Sequence, residues 1–285
     1  MERYIDLHTH STASDGSMTP RELVRHAKEC GLSAIALTDH DTVEGVDEAI
    51  DEGKRIGLEV VAGVEISADY KPEMHILGYF FDESHKNIKA TLEKLRENRR
   101  IRNPKIINKL NEIGFDINLE EVEAEAAGSV VGRPHIAKVL VKKGYVRSVE
   151  EAFEKYLSSG KPAYFKKDKM KPEESIQSII NAGGIPVIAH PKYLEHTLDE
   201  LDKLFGSLKN AGLMGIEAYY VDNTKDDTGN LLRLAIKHEL LPTGGSDFHG
   251  NFKNGIDIGK GRGNLKIPYN LLEKLKQQYK NNPYS

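Results

Sequence analysis

The sequence predicts an α/β fold, a distorted seven-stranded (β/α) barrel interrupted by a small helical insertion. Three observations lead there. Short apolar runs alternate with helical stretches over residues 4–80 and again from residue 185 onwards, the pattern of successive β-α units. Polar residues able to hold metal follow many of these runs rather than one crevice, and barrels gather their reactive groups at the carboxyl ends of their strands. Residues 85–165 break the alternation with long, charged, helix-period sequence. The expected organisation is barrel over 1–84, helical insertion acting as a substrate lid over 85–165, and barrel again over 166–285.

In the first run, Tyr4-Ile5-Asp6-Leu7-His8-Thr9-His10, strand alternation puts both histidines on one face, so both imidazoles can reach one ion. A helix should follow, capped by Thr19, opened by Pro20, boxed by Glu22 and stopped at Gly31. The next strand, 34–38, ends in Asp39-His40; the third, 58–64, ends in Glu65; the fourth, 74–79, carries His75. Inside the insertion Asn118 and Ser148 read as helix caps, the latter boxed by Glu151. The barrel resumes with 185–189 leading into His190, then 215–219, then 240–246 leading into Asp247-Phe248-His249, and a closing helix around 271–275.

With 285 residues and 39% hydrophobic content, the chain can bury a large core. Its net charge of -4 supplies no overall basic field, so duplex nucleic acid is not the expected partner. Divalent cations held among carboxylates would still make one cleft positive, which suits a small anionic substrate. The single cysteine, Cys30, cannot form an internal disulfide and reads as a packed helical residue. No signal-like segment precedes the first strand and no run nears the ~20 apolar residues of a membrane span, so the expected location is the cytoplasm. Nothing in the sequence speaks to oligomeric state.

The candidate ligands are His8, His10, Asp15, His40, Glu65, His75, His190, Asp247 and His249. Imidazoles and carboxylates without thiolates suit borderline or harder divalent ions such as manganese, iron or zinc, among which the ligand types do not choose. Glu65 can bridge two ions. Ions roughly 3.5 to 4 Å apart hold a hydroxide between them and stabilise charge on a phosphoryl group under in-line attack. Hydrolysis of a phosphate ester is the natural use.

These residues also carry a resemblance. His8-Thr9-His10 with Asp15-Gly16, then Thr38-Asp39-His40-Asp41, Gly63-Val64-Glu65, Ala189-His190-Pro191 and Ser246-Asp247-Phe248-His249-Gly250 resemble the motifs of the PHP (polymerase and histidinol phosphatase) superfamily. In the insertion, Gly132-Arg133-Pro134-His135 and Gly160-Lys161-Pro162 resemble the branch of nucleoside 3′,5′-bisphosphate phosphatases and short-RNA 5′-to-3′ exonucleases. The resemblance implies the PHP fold and three divalent ions: one on His8, His10, Glu65 and Asp247, a second on Glu65, His75 and His190, a third on Asp15, His40 and His249. It implies, too, that Arg133 and His135 sit over the metals as catalytic and substrate-binding groups, with Lys161 a further candidate contact to phosphate. The expected function is hydrolysis of the 3′-phosphate ester of nucleoside 3′,5′-bisphosphates or of short 5′-phosphorylated oligoribonucleotides.

Other readings are weighed beside it. A histidinol-phosphate-type phosphomonoesterase would use the same barrel, and a metal-loaded module without turnover would keep its ligands for structure. An amidohydrolase would need a bridging modified lysine, and no lysine ends a core strand in a ligand position. Asp6, Asp39 and Asp41 read as partners orienting the imidazoles; Glu217 and Tyr219 read as pocket lining. His26, His85, His196 and His238 read as surface histidines, and the run from Arg96 to Arg102 as a basic solvated helix face.

Overall fold

The computed structural model describes residues 2–81, 86–126, 131–165 and 169–281. The chain runs β1 (Ile5–Thr9), α1 (Pro20–Glu29), β2 (Ala34–Leu37), α2 (Val46–Ile56), β3 (Glu59–Ala68) and β4 (Met74–Tyr79). Helices α3 (Lys86–Glu112), α4 (Leu119–Ala126), α5 (Arg133–Lys142) and α6 (Val149–Ala152) follow. The barrel then resumes with α7 (Pro172–Asn181), β5 (Ile185–Ile188), α8 (Leu198–Asn210), β6 (Gly215–Tyr220), α9 (Lys225–Lys237), β7 (Leu241–Gly245) and α10 (Asn270–Lys280).

The seven strands form one sheet in sequence order. Its two edges meet: β1 packs against β7, and His10 N–H donates to Phe248 O at 2.9 Å, so the sheet nearly closes into a barrel. β1, β2 and β5 are buried at every position, as expected of strands lying between a filled interior and an outer layer of helices.

Most neighbours are parallel, but β4 runs antiparallel to both β3 and β5. The reason is the short link from Ala68 to Met74. A parallel crossover needs a dozen or more residues, so this one closes as a hairpin. Reversal puts the start of β4, and with it His75, at the same mouth of the barrel as the carboxyl ends of the other strands. Glu65 is a smaller departure from expectation, since β3 continues three residues past it and holds the carboxylate within the strand rather than at its tip.

Local signals were legible. Thr19 and Glu22 form the capping box of α1, and Asn118 and Glu121 exchange reciprocal bonds at the start of α4. At α6, Ser148 accepts from Glu151 N–H, but the Glu151 carboxylate turns to Arg147 N–H instead of completing the box. The apolar residues divide between two cores. Ile88, Leu92 and Leu95 of α3 join the barrel core, whereas Ile106, Ile107 and Leu110 of the same helix pack with Val122, Ile136 and Leu140 in a second core. Among the described residues no helix is long and apolar enough to cross a membrane.

Gly245 at the end of β7 sets the approach of β7 to β1. A Cβ there would lie 2.1 Å from His8 Cβ and 2.6 Å from His8 N. Gly245→Ala is expected to destabilise the protein by at least the ~1–3 kcal/mol typical of overpacking. Urea unfolding would show it as a lowered midpoint, and an unchanged midpoint would refute this account of the seam.

Candidate active site

The nine residues singled out from the sequence converge at one barrel mouth. Glu65 is at their centre: Oε1 lies 2.7 Å from His75 Nδ1 and 3.0 Å from His190 Nε2, while Oε2 lies 3.1 to 3.3 Å from His8 Nε2, His10 Nε2 and His40 Nδ1. Asp247 Oδ1 meets His10 Nε2 at 3.2 Å, and Asp15 Oδ1 meets His249 Nε2 at 3.2 Å. Three groups have donor atoms within 4.8 Å of one another: His8, His10, Glu65 and Asp247; His10, Asp15, His40 and His249; and His40, Glu65 and His75. The first is the set that the resemblance implies. In the other two, His10 joins Asp15's group and His40 reaches Glu65 and His75. His190 joins through its contacts to Glu65 and, at 3.2 Å, His75.

The orienting groups differ from those expected. Glu217, read as pocket lining, is fully buried beneath the cluster. One oxygen accepts from His8 Nδ1 at 3.0 Å and the other from His190 N–H at 2.7 Å. A carboxylate only accepts, so His8 carries its proton on Nδ1 and presents Nε2 to the cluster. Likewise His249 Nδ1 donates to Asp247 O at 2.9 Å, leaving Nε2 turned to Asp15. The hydrogen bonds of Asp6 and Asp39 go to backbone and hydroxyl groups rather than to imidazoles. Asp6 accepts from the backbone of His8, Ser246 and Gly259; Asp39 ties down Ser11 and Ser14; Asp41 accepts from Ser67 N–H. They brace the loops that carry the ligands. Asp247 and His190 themselves adopt left-handed backbone, φ +53° and +26°, the kind of local strain that persists where surrounding structure enforces it.

Asp247 is also gripped from outside. Its Oδ2 accepts from Tyr220 OH at 2.8 Å and pairs with Lys253 Nζ at 2.5 Å, which turns Oδ1 to the histidines. Sequence reading missed both partners, which belong to no motif.

The cluster fits divalent cations. Five buried donor atoms, His8 Nε2, both ring nitrogens of His10, His40 Nδ1 and Glu65 Oε2, have no hydrogen-bond partner. Leaving buried polar atoms unpaired is unfavourable by ~1–3 kcal/mol each, an arrangement explained by metal coordination. Burial pushes the carboxyls of Asp15, Glu65 and Asp247 up, but the surrounding imidazoles, with Lys253 at Asp247, hold them well below the usual range. Burial takes His40 down to about 3. In His10 and His75 burial is outweighed by the carboxylates of Asp247, Glu65 and Glu73, which carry them up to about 9 and about 10.

Beside the cluster opens a cleft of about 170 Å³ whose walls include Asp15, His40 and His75 from the barrel and Arg133, Pro134 and His135 from the first turn of α5. Arg133 thus both begins a helix and faces the cleft. Its Nη1 donates to Leu157 O at 3.0 Å, and its guanidinium lies 5.6 and 5.7 Å from the ring centroids of Phe153 and Tyr164. His135 Nδ1 accepts from Gly132 N–H at 3.1 Å, so Nε2 is the protonated nitrogen. Lys161 is exposed and outside the cleft walls; Lys169, which sequence reading passed over, lines the cleft and pairs with Glu73. Arg102 corrects the basic-face reading, for it is only 7% exposed and also lines the cleft. The side chains of Arg96 and Arg99 lie outside the description, as does His85. The remaining histidines are half-buried rather than surface groups: His26 stacks on Phe248, His196 bonds Tyr70 OH, and His238 pairs with Asp202. Tyr219 is not among the residues that line this cleft.

A barrel mouth that gathers carboxylates and imidazoles beside a cationic cleft defines a metal-dependent phosphoesterase. The chain belongs to the PHP domain family, whose model matches residues 6–211. It is 39% identical over 262 residues to the 5′-3′ exoribonuclease of Haemophilus influenzae, covering 91% of this chain and 94% of the relative. To the 3′,5′-nucleoside bisphosphate phosphatase of Chromobacterium violaceum it is 33% identical over 264 residues, 90% of each chain. A crystal structure from Bifidobacterium adolescentis, described as a metal-dependent phosphoesterase, superposes with a TM-score of 0.85 at 30% identity, covering 97% of this chain and 96% of that one.

In the metal-free protein the raised histidines set a pH dependence. Their folded values lie above the ordinary 6.5, so the stability they contribute is complete below 6.5 and is lost as pH climbs through about 9 and about 10. After chelator treatment, the melting temperature should fall between pH 7 and pH 10. Restoring divalent metal should flatten the curve, because ring nitrogens committed to metal no longer exchange protons. A flat profile in the chelated protein would contradict this.

Proposed function

We propose that the protein hydrolyses the 3′-phosphate ester of nucleoside 3′,5′-bisphosphates and of short 5′-phosphorylated oligoribonucleotides. The observation that carries this reading is the junction of two environments. The ligand cluster opens directly onto a cleft walled by Arg102, Arg133 and Lys169, and that cleft continues into a recess of about 400 Å³ lined by Tyr70, Phe153, Tyr164 and Phe165. A phosphate on the cluster, a second phosphate among the cations and a base against the rings use all three features. A substrate with one phosphate and no aromatic group, as in the histidinol phosphatase reading, leaves most of them unused.

We assign the cluster to three divalent ions, manganese first, held by His8, His10, Glu65 and Asp247, by Glu65, His75 and His190, and by Asp15, His40 and His249. Bound there, divalent metal supplies Lewis-acid activation of water and neutralises charge at phosphorus. The chain's own residues do the rest. Arg133, its guanidinium steadied by Phe153 and Tyr164, offers a planar fork to phosphate oxygens. His135 offers its protonated Nε2. Residues 85–165 act as the lid that brings both over the cluster and limits water at the reacting centre.

The test is turnover by purified, manganese-reconstituted protein of adenosine 3′,5′-bisphosphate, a short 5′-phosphorylated RNA and histidinol phosphate in parallel. The first two should react. Asp247→Ala should abolish turnover, and Arg133→Ala should lower kcat/KM roughly 10- to 100-fold, the worth of one charge-assisted bond. Turnover of histidinol phosphate alone would overturn the reading.

A further inference from the structure

Two aromatic side chains at the barrel mouth face solvent and take no part in the cleft or the recess. Tyr193 is 44% exposed and Phe252 is 49% exposed, the latter of a residue type usually buried. Each comes three residues after a candidate ligand, His190 and His249 respectively, and each lies in a short helical turn (Pro191–Leu194 and Gly250–Phe252) that begins immediately after that ligand.

Neither is a loose surface ring. Tyr193 packs 5.3 Å from the His190 ring and 5.6 Å, edge-on, from Tyr220, and its hydroxyl is tied to Asp222. Phe252 is covered on one face by Lys138 Nζ of α5, 3.3 Å from the ring centroid. Lys253 follows Phe252 in the chain, and its Nζ reaches Asp247. The arrangement is an anchored pair of rings with a cation, the combination that holds single-stranded nucleic acid by stacking without reading sequence.

Its place in the barrel gives it a role. The cleft and recess draw on β1 to β4 and the lid, whereas Tyr193 and Phe252 follow β5 and β7. The ligand cluster lies between. We propose that Tyr193, Phe252 and Lys253 form a shelf for the nucleoside downstream of the scissile phosphate, which makes a 5′-phosphorylated oligonucleotide, rather than a mononucleoside bisphosphate, the substrate the site favours. This rests on the function proposed above. In the reaction, water oxygen bonds to phosphorus, the bond from phosphorus to the 3′-oxygen of the first nucleotide breaks, and that oxygen takes up a proton. The new 5′-phosphate stays on the second nucleoside, which lies on the shelf. A bisphosphate has no second nucleoside and gains nothing there.

The experiment compares kcat/KM for the 5′-phosphorylated dinucleotide pApA with that for adenosine 3′,5′-bisphosphate, using manganese-loaded protein, in wild type, Phe252→Ala and the double variant Tyr193→Ala/Phe252→Ala. The ratio should fall roughly tenfold in the double variant, as expected for a lost stacking contact, and Tyr193→Phe/Phe252→Tyr should restore it. Calorimetry with phosphorothioate-linked pApA and with adenosine 5′-monophosphate reads the shelf independently of turnover. Wild type should bind the dinucleotide more tightly, and the double variant should lose the difference. If wild type hydrolyses neither substrate yet shows that binding difference, the proposed reaction fails while the shelf stands. An unchanged ratio, an equal loss on both substrates, or equal binding of the two ligands by wild type would overturn the shelf.

Discussion

One buried carboxylate governs the active site. Glu65 lies at 1% exposure with five imidazoles within 3.3 Å of its two oxygens. A charge so placed is tolerated only when opposite charge and directed donors surround it. Four strands contribute to that requirement. β1 brings His8 and His10, the ends of β2 and β5 bring His40 and His190, and the reversed β4 brings His75. The barrel seam serves the same end, since Gly245 lets β7 approach β1 and set Asp247 against His8 and His10.

Around this core the structure separates the tasks of holding and aiming. Glu217 fixes the His8 tautomer from below, while Tyr220 and Lys253 occupy the outer oxygen of Asp247. Asp6 and Asp39 bind loop backbones and hydroxyls, and so fix where the ligands can be rather than which way they point. The second core is separate from the barrel core, yet α3 belongs to both. That shared helix carries Arg102 to the cleft, and Arg133 of α5 reaches the barrel at Glu73 of the β3–β4 turn, 3.8 Å from its guanidinium.

What the sequence determined by itself was which histidines and carboxylates gather at the mouth and the frame that carries them. His8 and His10 had to share a face because strand geometry alternates, and apolar runs that end in Asp, His or Glu had to deliver those groups to one rim. Helix caps at Thr19 and Asn118 were equally local, and local rules found them. The tertiary structure decided whatever depended on residues far apart in the chain. Glu217 sits 209 positions from His8, so no spacing could reveal their bond. Lys253 and Tyr220 follow no motif and matter only because β6 and β7 adjoin. Arg102 reads as one more charge in a basic helical run, and only the packing of α3 into both cores turns it into the cleft. Local sequence fixes dihedral preference and side-chain periodicity; which buried atoms meet is set by how the strands close, and that closure is a property of the whole chain.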